Sequence, residues 1–415
     1  MARFESLRGF DAGVWVVAVA RFVNVLGSGI VYPFATLYFY REVGIPFTLV
    51  GTGLFANSVG LAIGTLIGGF LADRYGRRPV MVASMALAAP SLAAYALVTT
   101  AAEFVVVAAV AGTVMGLFTP ASQAMIADLT DDEARDRAYA LLKVASNAGF
   151  GAGFVLGGLI YGVTQTGVFV ANGATSAVVA LVLLAALPRS PAAERLETGV
   201  GSVRETVRAW GRSVTHPTIL GLAALNVGFA IMYAQMNSTI PVHAEATFDL
   251  TSEQLGTLFV LNPLVIVLFQ LPIVARIADW RRTRGLLVSA GFWTASFVAV
   301  FLSYGAPWAI GVGLIGAFLV LRTIGEILHA PLITALASDV GPVAERGSKL
   351  SVLEVAKRLG FGVGPVLGGL FFDFGVDHLL WPTLVVGCLC LGLGVLALER
   401  RVTPRQNGTA AAVGG

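Results

Sequence analysis

Twelve long apolar runs limit what this 415-residue chain can become. A helix needs about 20 apolar residues to cross a bilayer, whereas the strands of a membrane barrel are about 10 residues long and alternate in polarity. The first six runs lie at approximately 12–40, 47–72, 78–99, 103–127, 138–163 and 166–187. The second six lie at approximately 217–241, 252–275, 285–305, 308–336, 350–372 and 379–399. Their length excludes a barrel and predicts an all-α integral membrane fold of twelve transmembrane helices. Composition agrees: 56% of the residues are hydrophobic and 12% are charged, against about 25% charged in soluble domains. A soluble enzyme of this size would lack the charge to clothe its surface. The first run has no small-residue cleavage site after it and reads as a span, not a removable signal. Cys388 and Cys390 sit two apart on one helix and point to different sides, so no disulfide between them is expected.

Charge placement orients the spans. With twelve crossings, both termini and the even-to-odd loops share one side, and that side holds 24 of the 27 Lys and Arg residues. Arg41 falls opposite, and Arg21 and Arg322 fall within spans. The positive-inside rule then predicts a multi-pass protein of the cell membrane with both termini cytoplasmic. A miscounted span would scatter these charges over both faces.

The chain also repeats itself. Gly149–Leu159 aligns with Gly360–Leu370 at an offset of 211, with nine of eleven residues identical. Pro120, Asp128 and Arg135 map onto Pro331, Asp339 and Arg346 at the same offset. Nearer the start the offset is 205–206, and Ala72-Asp73 matches Ala278-Asp279. Two pseudo-symmetric six-helix halves, 1–188 and 217–400, are therefore expected, flanking a linker at 189–216 and followed by a disordered tail at 401–415. Val200, Val203, Val207, Trp210 and Val214 space 3-4-3-4 along the linker, which predicts an amphipathic helix on the membrane surface, or else a plain tether. Inverted or parallel repeats suit a carrier with a central site at the repeat interface, although a channel can also repeat.

Between the second and third runs stands Gly69-Phe-Leu-Ala-Asp-Arg-Tyr-Gly-Arg-Arg-Pro79. Each charge costs a few kcal/mol at the bilayer centre, so this segment must be a short aqueous turn. It resembles the signature loop between helices 2 and 3 of the major facilitator superfamily of transporters, through Gly69, Asp73, Arg74, Gly76, Arg77 and Arg78. A degraded copy, Ile277–Arg284, keeps Asp279. Gly364-Pro365-Val-Leu-Gly368-Gly369 resembles the Gly-Pro-x-x-Gly-Gly signature of drug–proton antiporters, which normally belongs to span 5. There this chain has Gly153-Phe-Val-Leu-Gly157-Gly158, with Phe154 in place of proline. The arginine that such antiporters carry in span 4 is also missing. Position 111 is alanine, and the repeat-equivalent position 322 is the arginine. The resemblance runs from Asp11 to about Arg401 and is nearest to the twelve-span drug–proton antiporter branch. It implies that spans 1, 4, 7 and 10 line a central cavity and that spans 2 and 11 approach one another. The rows Gly60, Gly64, Gly68 and Gly360, Gly364, Gly368 permit close helix contact. The resemblance also implies that Asp73 meets the N-terminal end of span 11, a carboxylate–dipole contact worth about 0.3–1 kcal/mol, which suits a gate more than a binding site.

Polar residues inside spans mark the candidate site. Arg21, Asn24, Ser28 and Tyr32 share a face of span 1, and Asn226, Ala230, Tyr233 and Asn237 share a face of span 7 with Gln235 beside it. Span 10 carries Arg322, Glu326 and His329, whereas span 4 offers only Thr119, Ser122 and Gln123. Burial favours the neutral form of a carboxylate, and an arginine one turn away favours the charged form. Glu326 therefore reads either as a proton carrier, with Arg322 and His329 as partners, or as half of a permanent ion pair. Arg21, Asn24, Tyr32, Asn226, Tyr233, Gln235 and Asn237 could contact substrate, or could bond backbone across helices.

The expected function is a secondary active transporter moving a small, amphiphilic molecule outward with protons as coupling ion. The alternative is a proton-linked or facilitative importer of a sugar or organic acid. No cofactor, metal or nucleic-acid partner is expected, and the chain is expected to act as a monomer in the lipid bilayer. His216, His243, His329 and His378 form no ligand spacing, and no phosphate loop or nucleophile with its base points to an enzyme.

Overall fold

A computed structural model of the chain describes residues 10–188, 216–340 and 346–408. The linker with its expected amphipathic helix lies outside the described residues, as do residues 409–415. Twelve helices are long and apolar enough to span a bilayer. In chain order they are α1 Ala12–Glu42, α2 Phe47–Tyr75, α3 Arg77–Leu97, α4 Ala101–Leu129, α5 Ala134–Val163 and α6 Gly167–Ala186. The second set is α7 Pro217–Phe248, α8 Ser252–Arg276, α9 Arg282–Ser303, α10 Trp308–Asp339, α11 Arg346–Asp373 and α12 Asp377–Glu399. No strand occurs among the described residues.

Local chemistry explains most boundaries. Asp11 Oδ1 accepts from the Gly13 N–H and starts α1. Reciprocal capping boxes, Thr100 with Glu103 and Thr251 with Gln254, start α4 and α8. Gly76 adopts φ +92° in the one-residue turn between α2 and α3, a backbone conformation that β-carbons resist. The least legible boundary was the end of α7, expected near 241 and found at Phe248. The helix breaks at Gln235–Ser238 and restarts over Thr239–Phe248, where Thr, His and Glu side chains weaken the apolar signal.

The chain forms two compact units that do not follow the two halves strictly. One takes in α1, most of α2, α3–α6 and Thr251–Pro263. The other takes in Pro46–Phe55, α7, the rest of α8 and α9–α12. Thus the first turns of α2 group with the second-half helices, and those of α8 with the first-half helices.

Within the first unit, glycine rows bring helices into backbone contact. A β-carbon on Gly60, Gly64 or Gly68 would lie 2.3 Å from Ala109 O, 1.9 Å from Thr113 O and 2.6 Å from Leu117 Cα. The neighbour of this row is α4, because Gly112 and Gly116 supply the complementary small face, whereas α2 approaches α11 at Gly51 and Gly369. On α5, Gly153 and Gly157 meet the α1 carbonyls of Leu26 and Ile30, whereas Gly158 meets Ser252 O of α8. In the second unit, Gly360, Gly364 and Gly368 face Val227, Ala234 and Thr239 of α7.

The expected disorder of the tail is also corrected, for residues 401–408. Asn407 is buried. Its side-chain oxygen accepts from the Thr283 N–H at 3.0 Å, and its backbone oxygen accepts from the Arg282 N–H at 3.1 Å. These are two of the orphan donors at the start of α9, which has no cap in its own sequence. Cys388 is buried, Cys390 is exposed, and both are free thiols.

Candidate functional site

In the second unit, α10 carries Arg322 and Glu326 one turn apart on the same face. Arg322 Nη1 donates to Glu326 Oε2 at 2.7 Å. Arg322 is 4% exposed and the Glu326 side chain 21%, so the carboxylate is the accessible partner. The guanidinium lies over the rings of Tyr233, 4.5 Å from its centroid, and Trp293, 5.3 Å away. Such stacking holds a cation whose charge water no longer screens. Tyr233 also packs against Phe361, with ring centroids 5.5 Å apart and the rings tilted by 47°. Trp293 is held in turn by α10, since its indole edge fits the space left by the missing side chain of Gly325.

His329 is nearly fully buried, with its ring 4.2 Å from Phe229 and 6.4 Å from Tyr233. Its Nε2, like Arg322 Nε and Trp293 Nε1, is buried without a hydrogen-bond partner. The broken turn of α7 adds Asn237, whose Oδ1 is likewise unpartnered. Discontinuous helices of this kind place unpaired polar groups at membrane depth only where protein or a cavity surrounds them.

The other polar residues divide sharply. Asn226 Nδ2 donates to Leu353 O at 2.8 Å, and Gln235 Nε2 to Gly364 O at 3.1 Å. Both tie α7 to α11 and are buried, so their side chains are engaged in packing. In the first unit Asn24 is buried against Met85 Sδ at 3.4 Å. Arg21 Nε donates to Ser146 Oγ at 2.9 Å, and Tyr32 is 48% exposed beside Phe150.

The charged turn resolves into separate tasks. Arg77 pairs with Asp128 at the end of α4 at 3.0 Å and lies 3.8 Å from Asp73, which is 56% exposed. Arg78 donates to the carbonyl of Leu184 at 2.6 Å and so caps the end of α6. Arg74 lies over the Tyr75 ring, and a β-carbon on Gly69 would meet open space. In the second unit Arg282 bonds Asp339 at 2.6 Å, so the aspartate aligned with Asp128 again pairs with an arginine of the turn. The retained element of the copy is therefore Arg282 with Asp339, beyond the Asp279 that sequence alignment singled out.

Three residues escaped the sequence reading. Trp293 and Phe361 give no polar signal among so many aromatic residues. Lys357 lies within α11 with its Nζ 6.0 Å from the Phe361 ring, and its spacing with Glu354 and Arg358 marks one solvated helix face.

Known proteins resemble the chain over nearly its whole length. The profile of the Major Facilitator Superfamily matches residues 17–321 and 236–414. Bacillus subtilis YttB, an uncharacterized MFS-type transporter, is 24% identical over 404 residues, covering 96% of this chain and 98% of its own. A Na(+), Li(+), K(+)/H(+) antiporter of Planococcus maritimus is 23% identical, covering 95% of this chain and 96% of its own. The multidrug resistance protein MdtH of Aeromonas hydrophila is 25% identical, covering 90% and 92%. Among solved structures, the nucleoside transporter NupG superposes with a TM-score of 0.77 at 14% identity, covering 93% of this chain and 99% of that one. Twelve spans, two repeated halves and the charged turn after the second span thus have one explanation: the chain belongs to the major facilitator superfamily of membrane transporters.

Proposed function

We propose that this transporter is a secondary active carrier that moves a small, amphiphilic molecule out of the cell by alternating access, in exchange for protons carried by Glu326. The observation that carries the reading is the Arg322–Glu326 pair. Its carboxylate is partly accessible, and its cation is enclosed by Tyr233 and Trp293. While Glu326 is ionised the pair is neutral. A proton on Glu326 leaves Arg322 as an uncompensated buried charge, which is costly in low dielectric and drives rearrangement. Protonation is thereby converted into a change of shape. The names of two relatives, a cation/proton antiporter and a multidrug resistance protein, support exchange and efflux. Tyr233 and Asn237 supply the polar and aromatic contacts to substrate, and the Gly69–Pro79 turn gates the cytoplasmic side. The carrier works as a monomer in the cell membrane with both termini cytoplasmic.

The test uses purified protein in liposomes, a substrate panel and an imposed pH gradient. Glu326→Gln is expected to abolish gradient-driven accumulation while exchange of substrate across the membrane continues. Full gradient-driven transport in that variant removes Glu326 from the coupling. A second reading rests on Arg21, which bonds a neutral hydroxyl and pairs with no carboxylate in any ion pair found among the described residues. An importer of organic acids would use that free charge, and organic anions in the same panel decide between the two.

A further inference from the structure

The first turn of α2 has no cap of its own. Pro46 precedes it, and a proline side chain offers no acceptor. Its carbonyl takes the N–H groups of Leu49 and Val50. The two remaining donors go elsewhere. The Phe47 N–H donates to Asp373 Oδ1 and the Thr48 N–H to Asp373 Oδ2, both at 2.8 Å. Asp373 is the last residue of α11. One carboxylate thus satisfies two orphan donors of another helix and meets the positive end of its dipole.

Below this contact the backbones of the two helices touch. A β-carbon on Gly51 would lie 2.5 Å from Val366 N, and one on Gly369 would lie 2.5 Å from Thr48 N. The rings of Phe47 and Phe372 stand 5.1 Å apart beside them. The seam is therefore close, made by Gly51 and Gly369, with the exposed Asp373 across its mouth.

The repeat supplies a comparison within the same molecule. By the two offsets, Phe47 and Thr48 correspond to Ser252 and Glu253, and Asp373 corresponds to Gly162. The start of α8 packs on α5 as closely, since a β-carbon on Gly158 would lie 2.5 Å from Ser252 O. Yet α8 begins with its own capping box, Thr251 with Gln254. Separation of α8 from α5 leaves α8 capped, whereas separation of α2 from α11 strips α2 of its cap. The two pseudo-equivalent contacts thus differ in where the helix cap comes from.

We infer that Asp373 is a clasp that holds the outer end of α2 to α11 in the conformation described and must be released each time the carrier opens to that side. The assignment rests on the alternating-access reading above, but not on which ion or substrate drives the cycle. Removal of the carboxylate is expected to favour the released state about fivefold, the factor that corresponds to a helix cap of ordinary strength.

Leu49 and Phe374 are exposed at this end, 41% and 77%, and accept spin labels. With both native cysteines replaced by alanine, the full chain in lipid nanodiscs is measured by double electron–electron resonance. The parent is expected to show a dominant short separation. Asp373→Ala is expected to enrich a longer separation about fivefold. Gly51→Ala, which pries the seam apart by volume while keeping the carboxylate, is expected to do the same. Glu253→Gln, at the self-capped helix, is expected to leave the distribution unchanged. A distribution in Asp373→Ala identical to the parent's overturns the clasp; if Asp373→Ala does not fold, Asp373→Asn, which cannot offer both N–H groups an acceptor oxygen, decides in its place. Gradient-driven transport by the parent is scored separately, so a failed clasp and a failed proton-coupling reading give different results.

Discussion

Arg322 and Glu326 derive their meaning from being a pair in a place where neither could stand alone. Truncating Arg322 to alanine strands a carboxylate among Tyr233, Trp293 and α10, and it is expected to cost about 2–4 kcal/mol, less than a fully buried pair because Glu326 is partly hydrated. Replacing both residues, Arg322→Met with Glu326→Leu, is expected to recover most of that loss while remaining inert to a pH gradient. Denaturant unfolding in detergent reads the first effect and liposome transport the second; equal stability of Arg322→Ala and the parent would show that the pair is not under tension. At this scale the sequence spoke only in part. Helical spacing put Asn226, Tyr233 and Asn237 on one face of α7, but only the first two lie on continuous helix, and Asn237 falls in the break at Gln235–Ser238. Spacing carries no information on what lies opposite, so it could not separate Asn226 and Gln235, bonded to α11 carbonyls, from Tyr233, whose ring lies under the Arg322 guanidinium. Nor could it find Trp293, whose role comes from a neighbour twenty-nine residues later in the chain, Arg322.

Helices in this fold are placed by missing side chains. The polar glue is modest in lipid, so close backbone approach carries much of the specificity. Gly64 is the strictest case, because its β-carbon would overlap the Thr113 carbonyl at 1.9 Å and neither backbone can retreat. Gly64→Val is expected to cost upward of about 3 kcal/mol, at the severe end of overpacking. Gly69→Val, where nothing lies within 4 Å, is expected to be neutral. Yield of monodisperse protein on size exclusion compares them directly, and similar yields would refute the assignment of that row to the α2–α4 contact. Rows of small residues were visible in the sequence, but their partners were not, since a small face fits any other small face. Span ends were legible wherever a cap or glycine marks them, as at Thr100 and Gly76. They were illegible at α7, where polar residues interrupt a helix that nonetheless continues.

At the scale of the whole chain the sequence was most informative, because hydropathy and charge are sums over many residues and tolerate local error. Twelve runs predicted twelve spans, and the offset of 211 aligned Asp128 with Asp339, each of which pairs with an arginine, Arg77 and Arg282. The tail was misread for the opposite reason. Its composition is that of a disordered segment, and its order comes from a few specific bonds made by Asn407 and by the Gln406 carbonyl to Arg282. Those bonds have a consequence for how the protein is made. Thr403–Gly408 is synthesised after all twelve spans, so the start of α9 stays uncapped throughout insertion and is completed only by a late-emerging peptide. A chain ended after Arg401 is expected to insert fully yet be cut by trypsin at Arg281 and Arg284 about fivefold faster than one ended after Gly408, the factor a lost helix cap allows. Timed digestion followed by mass spectrometry measures it, and equal rates would mean that the late peptide adds nothing. Any fusion partner joined at this end must likewise begin beyond Gly408, or it deprives α9 of a component that its own sequence does not encode.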